Sequence, residues 1–316
     1  MYIFLIMSLL TNQSEIKFIP PEDSNESKVG KNLIFKNIKF VPPELIGERI
    51  KEREQIYLPK VHPWQYAVLR YDGHNFSTFT KGFKKPFDDN MKNAMEYTLM
   101  DVVNKFNPIV GCVHSDEITI IFKPYYQSKE EYESADNKSC HPFDGKRDKL
   151  ISVIAGYISA RFNFHVMHLI NSEKDNYKEG FVNTVNQCCQ HFDGRMLVYE
   201  ANETTELLNY FVWRQNDCLR NCISTYARHL FSQKQVMYKK FNEMVDMINT
   251  TETKVDDINP DYKNGVFAKK QLIEKDGIDR KTNEPVKVTR GIVSLRNVKV
   301  SAQSEFEYLL LEKYWK

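Results

Sequence analysis

Apolar positions fall along the chain in two periods, and the order in which those periods alternate is informative. Trp64 to Tyr71 (WQYAVLRY) is a nearly unbroken aromatic and aliphatic run that stops at Asp72-Gly73, the pattern of a buried strand. Met91, Met95, Leu99, Val102 and Phe106 then recur at helical spacing behind Asp88, a residue type suited to cap the helix they define. Pro108 to Val113 and Ile118 to Phe122 are short apolar runs separated by His114-Ser115-Asp116, which predicts a hairpin. Ile151, Ile154, Ala155, Ile158 and Phe162 mark a second amphipathic helix, and Met196 to Tyr199 a fourth strand. The order β-α-β-β-α-β is that of a ferredoxin-like split unit, so the fold class is α+β. Beyond it, helices are expected from about Thr205 to Phe231 and from Gln235 to Ile248. After Asn249 the chain turns polar and Lys-rich, with weaker strand signals at Gly265 to Phe267 and Ile292 to Val300 and a last helix over Glu305 to Tyr314. Residues 1–35 are polar and irregular and read as an arm, followed by a short charged helix around Glu44 to Gln55. The expected organisation is an arm over 1–35, a sheet domain with helical additions over 36–250, and a C-terminal extension over 251–316 packing on it.

Composition narrows the class without choosing a function. With 316 residues, 41% hydrophobic and 27% charged, the chain can bury a sizeable core. Lys and Arg number 44 against 42 Asp and Glu, so any nucleic-acid surface must be local and not a property of net charge. The six cysteines include no CxxC pair, which argues against a disulfide-stapled secreted domain and for a reducing compartment. The opening MYIFLIMSLL is too short to span a bilayer, has no preceding basic residue and is poor in Arg. A cytoplasmic protein with no membrane partner is expected, with a mitochondrial location as the alternative. His165-Val-Met-His168 and Cys188-Cys-Gln-His191 lack a four-ligand zinc spacing.

Topology makes Asp72 and Asp116 interesting where local sequence does not. Asp-Gly occurs four times, at Asp72, Asp144, Asp193 and Asp276, and is an ordinary turn signal. In a ferredoxin-like sheet, however, the first and third strands are antiparallel neighbours. Asp72, which ends the first, then lies beside Asp116 and Glu117, which open the third. Crowded carboxylates repel unless a cation neutralises them, and hard oxygen donors suit Mg²⁺. Gly73 would allow close backbone approach, its carbonyl being a further ligand. Lys81, Lys84 and Lys85, interleaved with Phe79 and Phe83, read either as a cationic cluster for triphosphate and base or as a solvated loop over two core phenylalanines. Asp88 can cap its helix and also line a site. Arg214, Gln215, Asp217, Arg220 and Asn221 form a polar helical stripe, either facing phosphate or RNA or simply solvated.

Those same residues carry a resemblance. Arg70-Tyr-Asp-Gly-His-Asn-Phe76, Phe79-Thr-Lys-Gly-Phe-Lys-Lys-Pro-Phe-Asp88, Ser115-Asp-Glu-Ile118, His191-Phe-Asp-Gly-Arg195 and Tyr210-Phe-Val-Trp-Arg-Gln-Asn-Asp-Cys218 together resemble the tRNA-histidine guanylyltransferase superfamily of 3′-5′ polymerases. Several separated motifs occur in order over roughly residues 40 to 310. Leu219-Arg-Asn-Cys-Ile-Ser-Thr-Tyr-Ala-Arg228 departs from the His-Ile-Asn-Asn-Leu-Tyr-Asn type run of the eukaryotic enzymes. With Ile258 to Lys269, it leans toward the guanylyltransferase-like branch.

The resemblance implies a polymerase-palm sheet that extends the 5′ end of truncated tRNA, as in repair or editing. ATP or GTP activates the 5′ end, the 3′-hydroxyl of an incoming NTP attacks, and pyrophosphate later leaves. It further implies that Asp72, the Gly73 carbonyl and Asp116 bind two Mg²⁺, supported by Glu117. Lys85 and Ser115 would contact nucleotide phosphates, and Phe83 and Asp88 would form part of the activating-nucleotide pocket. A homotetramer is implied too. Addition of a single 5′ G to tRNA-histidine is the nearest alternative; a nucleotide cyclase and a catalytically silent ferredoxin-like RNA-binding protein are more distant ones.

Overall fold

The computed structural model describes residues 59–279, 281–300 and 307–315. The expected arm and the helix around Glu44 to Gln55 lie outside the described residues. In chain order the principal elements are β1 (Gln65–Gly73), α1 (Asp89–Phe106), β2 (Val110–His114), β3 (Glu117–Phe122), α2 (Arg147–Ser172), α3 (Glu179–Asn186), β4 (Phe192–Glu200), α4 (Thr204–Leu230), α5 (Phe241–Asn249), β5 (Val266–Ile278), β6 (Pro285–Arg296) and α6 (Glu307–Leu311). The strands form one sheet in the order β4-β1-β3-β2-β5-β6, every neighbouring pair antiparallel. Its first four positions are the ferredoxin-like order expected from sequence, and residues of the 251–316 segment prolong that sheet by two strands.

The central strands read as continuous apolar runs because both faces of the sheet are covered. On one face Ala67, Leu69, Tyr71, Ile118 and Ile120 pack with Met95, Leu99 and Val102 of α1 and with Ile154, Ile158 and Phe162 of α2. On the other, Tyr66, Val68, Cys112 and Ile121 pack with Leu207, Tyr210 and Phe211 of α4. The i, i+4 stripe of α2 (Leu150, Ile154, Ile158, Phe162, Val166, Ile170) is wholly buried, which makes this apolar helix a core element.

α1 starts where the sequence places it. Asp88 caps it, accepting from the Asn90 amide at 2.8 Å, and Asn107 closes it in the left-handed region at φ 55°.

Three local expectations are revised. The helix expected over Gln235 to Ile248 is two pieces, Gln233–Val236 and α5, split where Tyr238 adopts φ 65° and Glu243 folds back onto the Lys240 amide at 2.8 Å. The weak strand signals near Gly265 and Ile292 are the supported ends of a much longer ribbon. β5 contacts β2 only through Val266 to Ala268 and pairs with β6 all the way to Ile278. Among the described residues the last helix covers Glu307–Leu311, so it ends before the expected Tyr314.

Candidate active site

Strand register fixes the first layer of the site. Asp72 lies opposite Glu117 on β3 and opposite Asp193 on β4, so Asp193, Asp72 and Glu117 form a row across the sheet. Directly opposed residues of antiparallel strands share a face. The next row on that face, two residues back along β1, is Arg195, Arg70 and Thr119. Thr119 exchanges a 3.3 Å hydrogen bond with the hydroxyl of Tyr210, which ties this face to α4.

Asp116 arrives from the β2–β3 turn. Ser115 supplies the tight reversal by adopting φ 57°, a left-handed conformation uncommon for a residue with a side chain. The Gly73 amide then donates to the Asp116 carbonyl at 3.1 Å, which locks the turn against the end of β1. The Asp116 carboxyl is raised above its ordinary value, first by burial and then by the charge of Asp72. The backbone bond and the pairing of β1 with β3 bring Asp72 and Asp116 to one end of the sheet, as the strand order predicts.

Gly73 has a more local reason to be glycine than metal approach. A Cβ there would stand 2.4 Å from the Phe76 ring.

Glu117 does not complete a three-carboxylate cluster. It is buried, and Arg214 of α4 takes both its oxygens, Nε donating to Oε1 at 2.9 Å and Nη2 reaching Oε2 at 2.7 Å. Arg70 Nε approaches Oε2 at 3.6 Å. Burial raises the Glu117 carboxyl against the lowering effect of Arg214, so desolvation outweighs the ion pair. Among the described residues no group of three or more His, Cys, Asp or Glu side chains forms a metal-ligand cluster. What remains is two hard-oxygen donors, Asp72 and Asp116, with unfavourable charge between them. That donor set fits an ion such as Mg²⁺, which keeps waters and substrate phosphates in its shell and needs few protein ligands.

A cavity of about 210 Å³ opens beside Ser115. Phe83, Lys84, Lys85, Asp88 and Asn221, all singled out in the sequence, line it together with Tyr262. Phe83 is nonetheless a core residue at 6% exposure, set edge-on to Phe79, Tyr177 and Phe181. Phe79 is buried too, so the core reading of these two phenylalanines is correct and free interleaved stacking is not available to them. Asp88 is fully engaged: Oδ1 caps α1, Oδ2 accepts from the Lys84 amide at 2.9 Å, and the Tyr177 hydroxyl donates to both oxygens. Its part in the pocket is to shape the loop that carries Lys84 and Lys85. The Lys85 ammonium donates to the Thr80 carbonyl at 2.9 Å, and Lys84 lies 3.7 Å from Glu173. Lys81 is exposed and off the cavity lining.

The polar stripe of α4 divides. Arg214 belongs to Glu117, with Asp217 at 3.2 Å. Gln215 corrects the sequence reading outright: it is 6% exposed and all its bonds go to backbone. Nε2 donates to the Asn264 and Val298 carbonyls at 2.7 and 2.9 Å, and Oε1 accepts from the Val300 amide at 2.6 Å. Arg220 and Asn221 are exposed, and the Asp217 side chain is partly so.

Sequence reasoning missed Tyr177, which holds Asp88, and the stack of Phe87 on Tyr262 at 4.3 Å beside the cavity. Arg70, Asp193 and Arg195 stand within the sequence motifs without an assigned role, and strand register is what brings them to the carboxylates. Buried His114, at the end of β2, has its pKa lowered to about 4 by burial and then by Arg214, so it stands neutral behind the turn.

Comparison with known proteins agrees with this geometry. Residues 47–200 match the family described as tRNAHis guanylyltransferase. An uncharacterised protein of Acanthamoeba polyphaga mimivirus is 36% identical over 237 residues, covering 74% of this chain and 80% of that protein. The probable tRNA(His) guanylyltransferase of Bos taurus is 27% identical over 186 residues, and the match spans about half of its length, 52%, and 58% of this chain. A bacterial tRNA(His) guanylyltransferase-like protein solved in complex with ATP shares the fold, with a TM-score of 0.63, 24% identity and coverage of 84% of this chain and 99% of that one. Taken with the palm-like sheet and its motifs, these matches show that the chain belongs to the tRNAHis guanylyltransferase and guanylyltransferase-like superfamily.

Proposed function

We propose that this chain is a nucleotidyltransferase that adds nucleotides to the 5′ end of truncated tRNA, in the 3′-5′ direction and on a template. The reading rests on one juxtaposition: the Gly73 amide donates to the Asp116 carbonyl, so Asp72 and Asp116 meet at a strand end, and a cavity lined by Lys84, Lys85 and Ser115 adjoins it. The ATP complex of the bacterial structural neighbour supports nucleotide binding. Asp72 and Asp116 would hold Mg²⁺, two ions in this reading, which would supply Lewis-acid stabilisation of charge on phosphate oxygens.

The chain's own groups then have distinct tasks. The Lys84 and Lys85 ammoniums offset triphosphate charge, and the Ser115 hydroxyl at the turn offers a phosphate contact. Phe83 gives the cavity an apolar wall, and Asp88 with Tyr177 keeps the lysine-bearing loop in place. In the activation the RNA 5′-monophosphate attacks the α-phosphorus of ATP or GTP and pyrophosphate leaves. The 3′-hydroxyl of the incoming NTP then attacks the activated 5′-phosphate, and AMP or GMP leaves as the new phosphodiester forms. Arg214 and Arg70 hold Glu117 behind the metal-binding carboxylates as a supporting charge and not as a ligand. A cytoplasmic homotetramer completes the reading.

The departure at Leu219 to Arg228 favours repair or editing of several tRNAs, whereas the named relatives favour addition of one G to tRNA-histidine. Incubation of labelled 5′-truncated tRNAs from several isoacceptors with all four NTPs separates the two. Extension of more than one isoacceptor is expected; extension of tRNA-histidine alone, and only by G, defeats the repair reading.

A further inference from the structure

Trp213 stands out on the same sheet face as the carboxylates. It lies on α4 next to Arg214, 54% exposed, beside a site where most aromatic rings are buried. The ring is nevertheless held firmly. The Arg214 guanidinium lies 4.6 Å and that of Arg70 5.9 Å from the indole centroid, and Tyr210 meets it edge-on at 5.9 Å. Both guanidinium groups also reach the same Glu117 oxygen, Oε2, at 2.7 and 3.6 Å. That shared anchor ties both cations to Glu117, and Trp213 beside them keeps more than half of its area in solvent.

An indole held by two cations and an edge-on tyrosine, yet still more than half exposed, is a preorganised stacking surface. Its position specifies what it stacks. Arg70 lies one row, about 7 Å, along β1 from Asp72, so the ring borders the carboxylates. Trp213 is not among the residues lining the cavity beside Ser115 and stands on exposed surface, which suits a macromolecule. Arg195, exposed and opposite Arg70 on β4, adds a cation that can meet a backbone phosphate.

We propose that Trp213 is the platform on which the 5′-terminal base of the RNA stacks, setting the RNA end at Asp72 and Asp116. The inference rests on the reading of the chain as an RNA 5′-end enzyme and names the positioning residue for that end. Arg70 and Arg214 act through the indole and Glu117; Trp213 alone touches the base.

The test is a binding cycle on the full chain, using a 5′-recessed RNA hairpin whose 5′-terminal nucleotide either carries its base or is abasic. Wild type should bind the base-bearing hairpin roughly ten-fold or more tighter, within the span expected for one base on an aromatic ring. Trp213→Ala should bind both hairpins alike, and Trp213→Phe should retain most of the discrimination. Trp213→Leu keeps an apolar cover over the arginines, so it tests the π-face even if the alanine variant fails to fold; it too should lose discrimination. Equal discrimination in wild type and Trp213→Leu overturns the proposal. Loss confined to NTP affinity, with the RNA preference intact, also overturns it. A wild-type chain that binds neither hairpin instead defeats the RNA-end reading on which the proposal stands.

Discussion

Gln215 offers a test in which two accounts of one residue predict opposite results. Read from sequence, it belongs to a polar stripe facing RNA; in the fold it is a buried clamp from α4 to the Asn264 carbonyl before β5 and to Val298 and Val300 after β6. Replacement by Met keeps the volume and removes all three hydrogen bonds, leaving two carbonyls and one amide without this partner. A net hydrogen bond contributes about 0.5–1.5 kcal/mol, and a buried group left unsatisfied costs about 1–3 kcal/mol. Partial rehydration at the edge of the fold offsets some of that, so a loss of about 3–5 kcal/mol is expected. For a domain of this size each kcal/mol lowers the melting temperature by about 2–4 °C. Thermal unfolding followed by circular dichroism should therefore show a drop of roughly 6–20 °C. RNA affinity measured well below that transition should change less than two-fold. A variant with unchanged melting temperature and RNA affinity reduced ten-fold would refute the clamp and restore the RNA contact.

Two further outcomes follow from packing and charge. Gly73→Ala drives a methyl into the Phe76 ring at 2.4 Å; this overpacking should cost about 1–3 kcal/mol by chemical denaturation, and a neutral result would mean the loop after β1 yields freely. Lys269, buried and donating to the Leu309 and Glu312 carbonyls, has its pKa lowered to about 8, chiefly by desolvation. The unfolded chain keeps that proton up to the ordinary lysine value, so between these pH values it binds more protons than the folded chain. Stability should therefore rise with pH from about 8 to above 10, by up to about 3 kcal/mol. A wild-type slope no steeper than that of Lys269→Met across this window would contradict the assignment.

How much could be seen in advance depended on whether a residue's role is local or made by register. β1 and β3 were legible because both their faces are buried, which writes an uninterrupted apolar run. Asp88 was legible as a cap because capping is chemistry within three residues. The meeting of Asp72 and Asp116 followed once strand order was inferred, since antiparallel neighbours β1 and β3 bring those ends together. Glu117 was legible as a supporting carboxylate beside the pair, but its partner was not: Arg214 comes from another element, far along the chain, and no local pattern announces that ion pair. Phe79 and Phe83 look the same in a stacking loop and in a core, and only α3, an unanticipated helix carrying Phe181, decides for the core. Most of β5 and β6 was invisible because the ribbon pairs with itself and leaves much of both faces in solvent, so no buried face imposes a period. The resemblance supplied what periodicity lacked, a reason to read ordinary turn residues as a site.

The central claim is that Asp72 and Asp116 together serve nucleotide addition at an RNA 5′ end. The most direct measurement supplies a 5′-truncated tRNA, Mg²⁺ and α-labelled NTPs to wild type, Asp72→Ala and Asp116→Ala, and maps the labelled end by digestion from each terminus. The wild-type chain should incorporate label at the 5′ end. Each variant should fall to background while retaining RNA binding and its melting temperature. Incorporation by either variant at the wild-type rate, or label appearing only at the 3′ end, would contradict the account.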